Sequence, residues 1–259
     1  MILNETNKST INNINNLDKP VIEFKNVYKS FGDNAVLRGI NLAVKKAENL
    51  VILGRSGSGK SIAIKCLVGL TKIDKGEIFV SGTDITKLNE NNLNAIRTKM
   101  GFLFQNGALY DSMTVGKNLA FTLTHNNKKL TADQVERLVA EALENVGLEE
   151  AIDKMPSELS GGMRKRVGLA RALIINPEII LYDEPTSGLD PITSREIIEL
   201  ILEIQKKFKT TSIIITHDLA CAKLAGNRIM IIKDGVIYAE GSFEELSKST
   251  DKWVRSFLT

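Results

Sequence analysis

"GRSGSGKS" occupies residues Gly54 to Ser61, and its reading decides the fold. The run before it, "ENLVILG" from Glu48 to Gly54, is short, apolar and closed by glycine, as a buried strand is. The run after it, "SIAIKCLVGL", has the apolar content of a buried helix. A turn spaced G-x-x-x-x-G-K-[ST] between strand and helix is a phosphate cradle. Its glycines let backbone N–H groups close around phosphate oxygens, and the helix N-terminus adds positive potential. The expected nucleotide-binding stretch is therefore Gly54, Arg55, Ser56, Gly57, Ser58, Gly59, Lys60, Ser61 and Ile62. Lys60 is placed to reach the β- and γ-phosphates and Ser61 to ligate Mg2+.

Three further β-rich runs follow: "EIILYDE" from Glu178, "TSIIITH" from Thr211 and "RIMIIKDG" from Arg228. Long helical segments separate them, which indicates an α/β fold with a largely parallel sheet. Ahead of the core, "VIEFKNVYKSFG" and "AVLRGINLAVKK" suggest a small antiparallel element. Within 131–146, Val135, Leu138, Val139, Ala142, Leu143 and Val146 form a helical stripe, with a Thr131/Gln134 capping box before it and Gly147 after it. We expect a helical subdomain over about 106–176 inserted in an α/β core spanning 21–245. Residues 1–20, rich in Asn, Thr and Ser, are expected to be a disordered extension.

Composition fits this picture. The 259 residues are 43% apolar and 25% charged, as in an ordinary globular protein. No run approaches the ~18 apolar residues of a membrane span, and no basic-then-apolar leader opens the sequence, which argues against secretion. A net charge of +3 gives no strong case for a surface that wraps nucleic acid and leaves room only for a local basic patch. Cys66 and Cys221 lie in apolar segments and are expected to be reduced and buried.

Two strand ends carry chemistry that suits the phosphate loop. "IILYDEP" ends an apolar run in Asp183, a carboxylate for Mg2+, and Glu184, which would polarise an attacking water. "IIITHD" ends in His217, at the edge where such sheets bind nucleotides, and could reach the γ-phosphate. His125, in "THNNKK", reads as part of a polar loop with no role. The remaining puzzle is "LSGGMRKRVGLARAL", Leu159 to Leu173, where two glycines open an otherwise good helix. A bare N-terminus without Cβ atoms suits contact with an anion.

Taken in order, these pieces resemble the nucleotide-binding subunit of ATP-binding cassette (ABC) transporters over about residues 21–240. The motifs are the Walker-A loop 54–61, Gln105 in "FLFQN", "LSGGM" at 159–163, "LYDEP" at 181–185, "SGLD" at 187–190 and His217. The resemblance implies a P-loop NTPase of RecA-like type, with ATP and Mg2+ as cofactors and ATP hydrolysis as the reaction. It implies that Phe31 stacks on adenine, and that Gln105 joins the Mg2+ site to the helical subdomain. It also implies a homodimer, in which Ser160, Gly161 and Gly162 of one copy meet the γ-phosphate held by the other and Asp190 contacts the opposite protomer. Lys60, Gln105, Glu184 and His217 then form the catalytic set, and Ser61, Gln105 and Asp183 the metal set. Two positions depart from the common pattern: Ile62 replaces a Ser or Thr, and Met163 a Gln.

"FQNGALYDSMTVGKNLAF" together with "LSGGMRKRVGLARAL" is most similar to the ATPases serving MCE-protein lipid transporters of the Mla type. That likeness implies a separate membrane permease docking near Gln105–Thr114, with Tyr110, Asp111, Met113 and Thr114 either as contacts or only as a helix start. It also implies an MCE-domain lipid-binding partner, and a peripheral place on the cytoplasmic face of the inner membrane. A cassette for an amino acid, metal or drug remains open as an alternative. A soluble ABC ATPase acting on nucleic acid or ribosomes is disfavoured, because the chain has one cassette, no heptad insertion and no cysteine-pair metal motif. The group Arg164, Lys165, Arg166 and Arg171 reads as a charged helix face. The tail, with Phe243, Leu246, Trp253, Val254, Phe257 and Leu258, suggests a short docking helix on this subunit or across the dimer.

Overall fold

The structure, a computed structural model, describes residues 19–105, 107–126 and 129–258. The reading of 1–20 as disordered lies outside these residues except for Lys19 and Pro20. Two sheets form the core. The smaller is antiparallel and joins β1 (Ile22–Phe31), β2 (Asn34–Val44), β4 (Lys75–Val80) and the short β5 (Thr83–Asp84), in the order β2-β1-β4-β5. The larger has the order β10-β9-β3-β8-β7-β6. It contains β3 (Asn49–Gly54), β6 (Met100–Leu103), β7 (Ile179–Asp183), β8 (Thr211–Thr216), β9 (Arg228–Lys233) and β10 (Val236–Gly241). All of its pairs are parallel except β9 with β10.

Alternation along the central strands explains the two layers. Leu50 and Ile52 of β3 face a cluster shared with β1, β2, β4 and α1 (Lys60–Leu67), while Val51 and Leu53 face the helices on the other side. A sheet covered on both faces needs apolar residues at every position, and β3 and β8 are buried along their whole length. β4 and β6 escape the sequence reading because "KGEIFV" and "MGFL" are too short or too mixed to stand out from loop.

α2 (Glu90–Arg97) precedes β6, and between β6 and β7 run α3 (Val115–Asn126), α4 (Ala132–Glu144) and α5 (Gly161–Leu173). α4 starts at the Thr131/Gln134 capping box. His125 is not in a loop: it closes α3, with its ring stacked 5.9 Å from that of Phe121. Residues Tyr110 to Thr114 do not join α3. They form a turn ahead of it, held by the fully buried Asn118, whose Oδ1 accepts from Tyr110 N (2.7 Å). Its Nδ2 donates to the carbonyls of Tyr110, Met113 and Thr114 at 3.0–3.1 Å. Asn118→Leu leaves these groups without that partner and should cost about 2–4 kcal/mol, read as a lower urea midpoint at unchanged slope.

The tail folds onto its own chain. α8 (Phe243–Ser247) and α9 (Lys252–Leu258) follow α6 (Pro191–Phe208), β8 and α7 (Leu219–Ala225), and Leu246, Val254 and Leu258 enter the helical core cluster. Trp253 packs edge-on to Tyr238 at 4.9 Å, and Lys233 Nζ lies 4.3 Å from its ring centre. Among the described residues no helix is long and apolar enough to cross a membrane. Cys66 and Cys221 are both buried and free, and burial pushes their thiols up to about 11 and about 12. Neither should react with a thiol reagent at pH 8 until denaturant is added, when both should react.

Candidate active site

The phosphate loop leaves β3 at Gly54 and enters α1 at Lys60. Gly59 sits at φ +103, and a Cβ there would lie 2.9 Å from Val36 O, so only glycine closes the loop against β2. No side chain caps α1, which leaves its first N–H groups facing the loop. Lys60, 7% exposed, donates to the carbonyls of Gly54 (2.7 Å) and Arg55 (3.1 Å). Burial lowers its pKa, opposed by the charges of Glu184 and Asp183.

A pocket of about 620 Å³ opens beside this loop. It gathers Phe31, Ser56, Gly57, Gly59, Lys60, Ser61, Ile62, Gln105, Asp183, Glu184 and His217, together with Val36. Most of the nucleotide-site residues expected from the sequence thus converge from five separate chain segments. Phe31 is half exposed, leaving a ring face for a planar ligand. Gly54 lies at the loop base. Arg55 and Ser58 turn to a neighbouring cavity of about 380 Å³ that Lys233 and Trp253 also line.

Asp183 ends β7 with its pKa raised, first by burial and then by the charge of Glu184. A carboxylate held in that condition favours a nearby cation. Its companions Ser61 and Gln105 supply neutral oxygens, a hard donor set that suits Mg2+. Among the described residues no three His, Cys, Asp or Glu side chains gather as a metal cage. Such an ion would therefore be completed by phosphate and water.

Glu184 adopts φ +51, and its Oε2 lies 2.8 Å from His217 Nδ1. The carboxylate is held on one side by this ring, while His217 itself is mostly exposed. Gln105 Nε2 donates to Ser187 Oγ at 3.1 Å.

Ser160, Gly161, Gly162 and Asp190 are not among the pocket's lining residues. Ser160 is exposed and caps α5, its Oγ accepting from Met163 N at 3.2 Å. Asp190 caps α6 through both oxygens: Oδ1 takes Ile192 N and Thr193 N at 3.0 Å, and Oδ2 takes the Thr193 hydroxyl at 2.6 Å. The paired glycines also have a local reason, since a Cβ on Gly162 would lie 2.5 Å from Thr193 Cγ2. They let the starts of α5 and α6 pack together.

The charged helix face expected on α5 holds fully only at Arg164, which is exposed; Lys165 is buried, and Arg166 and Arg171 are partly buried. Arg164 donates to Leu159 O, and Arg166 to Val146 O and Glu196. Arg171 donates to the carbonyls of Gly107 and Ala108. Lys165 is buried, with its ammonium on the carbonyls of Gln105 and Glu184, and burial lowers its pKa to about 8. These cations satisfy loop carbonyls, a use that a one-dimensional charge pattern does not reveal.

Known proteins resemble the chain over most of its length. The family described as "ABC transporter" matches residues 37–187. The probable ribonucleotide transport ATP-binding protein mkl of Mycobacterium leprae (strain TN) is 40% identical over 92% of this chain and 68% of its own length. The methionine import ATP-binding protein MetN of Brucella abortus (strain 2308) is 40% identical over 86% of this chain. The chain spans 60% of that protein's length. Among solved structures, a dimeric ATP-binding cassette bound to ADP and Pi in a post-hydrolysis state superposes with TM-score 0.78. It is 32% identical and covers 85% of this chain and 98% of its own. The cbiO1 protein of Clostridium perfringens, part of the ABC transporter complex cbiONQ, gives TM-score 0.80 at 27% identity over 93% of this chain and 100% of its own. The protein accordingly binds ATP with Mg2+ and is an ATPase. With a motif-bearing pocket, a family match and relatives that all point the same way, the chain belongs to the ABC transporter family as an ATP-binding subunit.

Proposed function

We propose that the chain works as a homodimer whose two ATP sites are each built from both copies, and that it drives a separate membrane permease. The observation that carries this reading is the position of Ser160. It is exposed at the open N-terminus of α5, outside the pocket that collects the rest of the site. An N-terminus with free N–H groups and no Cβ on its first two residues suits a phosphate brought by another molecule. The cassette of similar fold is a dimer bound to ADP and Pi, which supports the pairing of two copies.

In each site Phe31 stacks on adenine, and the loop N–H groups and Lys60 hold the phosphates. Ser61, Asp183 and Gln105 hold Mg2+, which supplies charge neutralisation at the phosphates. Glu184 orients the attacking water and takes its proton as the oxygen bonds to the γ-phosphorus and the bond to ADP breaks. His217 fixes the Glu184 carboxylate and lies within reach of the γ-phosphate. Asp190, as the cap of α6, sets the loop that faces the opposite copy.

Residues 106–176 act as the helical subdomain that meets the permease. A groove of about 520 Å³ between α2, β6, α3 and α5 is lined by Asn94, Arg97, Phe102, Thr122, His125 and Arg171. The exposed Tyr110 and Phe121 stand beside it, ring to ring at 5.2 Å. Tyr110, Asp111, Met113 and Thr114 are the contacts we assign to the permease, which holds the chain at the cytoplasmic face of the cell membrane.

For cargo we favour phospholipid trafficking with an MCE-domain protein, on the likeness of "FQNGALYDSMTVGKNLAF" and "LSGGMRKRVGLARAL". A second reading follows from the relatives, whose names give ribonucleotide and methionine transport. Co-purification from membranes with mass spectrometry of bound proteins and lipids separates them. Recovery of a permease, a single-span MCE protein and phospholipid is expected. A permease recovered with a soluble-solute receptor and no MCE protein would contradict the lipid reading.

A further inference from the structure

Lys165 lies five residues beyond Ser160 on α5 and is only 5% exposed. Its ammonium donates to two main-chain carbonyls, that of Gln105 and, at 2.9 Å, that of Glu184. Glu184 needs holding, because φ +51 is a region that a residue with a side chain occupies only when its surroundings impose it. Its N–H donates to Ile215 O at 2.8 Å, and its carbonyl accepts from Ser187 N at 3.2 Å as well as from Lys165. Packing alone does not account for the lysine. A methionine of similar length would fill the same space without the cost of burying an ammonium.

We propose that Lys165 is a positioning residue for hydrolysis: through the Glu184 carbonyl it sets the direction of the Glu184 carboxylate, and through the Gln105 carbonyl it ties that setting to the loop bearing Gln105. Because Lys165 stands on the helix headed by Ser160, Gly161 and Gly162, one ammonium links the part of the chain that faces a partner's nucleotide to the base of its own site. The inference rests on the reading of Glu184 as the base.

The test is a double-mutant cycle on the full-length protein. Lys165→Met and Glu184→Gln are made singly and together, with kcat and KM for ATP measured by phosphate release and the thermal midpoint recorded for each. Lys165→Met should lower kcat about 10–100-fold, as expected for misplacement of a reacting group, while KM stays within about threefold. Lys165→Gln keeps two N–H donors on a chain one bond shorter and should retain more activity than the methionine variant. If Lys165→Met does not fold, Lys165→Gln takes its place in the cycle. On the Glu184→Gln background the Lys165 change should cost less than about threefold further, because its target is already gone. A full multiplicative loss in the double variant would overturn the proposal, since Lys165 would then act elsewhere. A lower thermal midpoint with unchanged kcat in the single Lys165 variant, while Glu184→Gln is inactive, would also overturn it and leave the base intact. Wild-type hydrolysis by Glu184→Gln would overturn both, which keeps the two failures apart.

Discussion

Glu184→Gln should lower ATP turnover by about 10²–10⁴-fold while leaving ATP binding intact. The amide is isosteric, and its oxygen can still accept from His217 Nδ1, which the carboxylate meets at 2.8 Å. The fold around β7 is therefore expected to survive. What is lost is the group we assign to take the proton, and with it one of two adjacent negative charges. Asp183, raised first by burial and then by the charge of Glu184, should then lose the second of these contributions and keep its carboxylate for a cation. The expected signature is a protein that binds ATP with Mg2+ and keeps it, measured by equilibrium binding alongside phosphate release.

Lys60→Ala should act at the opposite end of the cycle. Lys60 is 7% exposed and reaches the pocket floor from the first turn of α1. Its removal takes away the loop cation that lines the pocket, where we place the β- and γ-phosphates. Truncating one partner of a buried charge pair costs about 2–5 kcal/mol, so ATP affinity should fall by about 30- to 5,000-fold. Because its bonds go to the Gly54 and Arg55 carbonyls of the loop itself and tie no other element to it, the loss of stability should be small beside the loss of binding. Equilibrium binding of a fluorescent ATP analogue, with thermal unfolding as control, checks both parts. A variant that binds ATP like the parent would contradict the placement of the phosphates.

The contrast between these two residues and Lys165 shows what the sequence makes legible. Lys60 and Glu184 stand in short segments, a strand end joined to a turn, where neighbours in sequence are neighbours in space. Their spacing therefore carries the chemistry. Lys165 lies in "MRKR", which along the chain is only a run of positive charge. Its meaning depends on Gln105 and Glu184, sixty and nineteen positions away. Asn118 is hidden in the same way, being a polar residue inside a helix whose partners form a turn before it. His125 is not legible as helical because "HNNKK" is polar throughout, while in the fold its ring stacks on Phe121 one turn back in α3. The glycines at 161 and 162 were legible as an open helix end. Only the packing of Gly162 on Thr193 reveals that its own chain also requires it.

The central claim is that each ATP site is shared between two copies, and a mixing experiment tests it directly. Lys60→Ala destroys the phosphate loop, and Gly161→Asp places a carboxylate on the helix end that should meet the γ-phosphate. Each variant alone should be inactive. When the two are co-assembled and the mixed dimer forms, one of its sites combines an intact loop from one copy with an intact helix end from the other. ATP hydrolysis should then return to up to about a quarter of the wild-type rate, since random pairing makes about half the dimers mixed and each has one intact site of two. If the site were complete within one chain, every subunit in the mixture would carry a defect, and hydrolysis would stay at the level of the two variants alone.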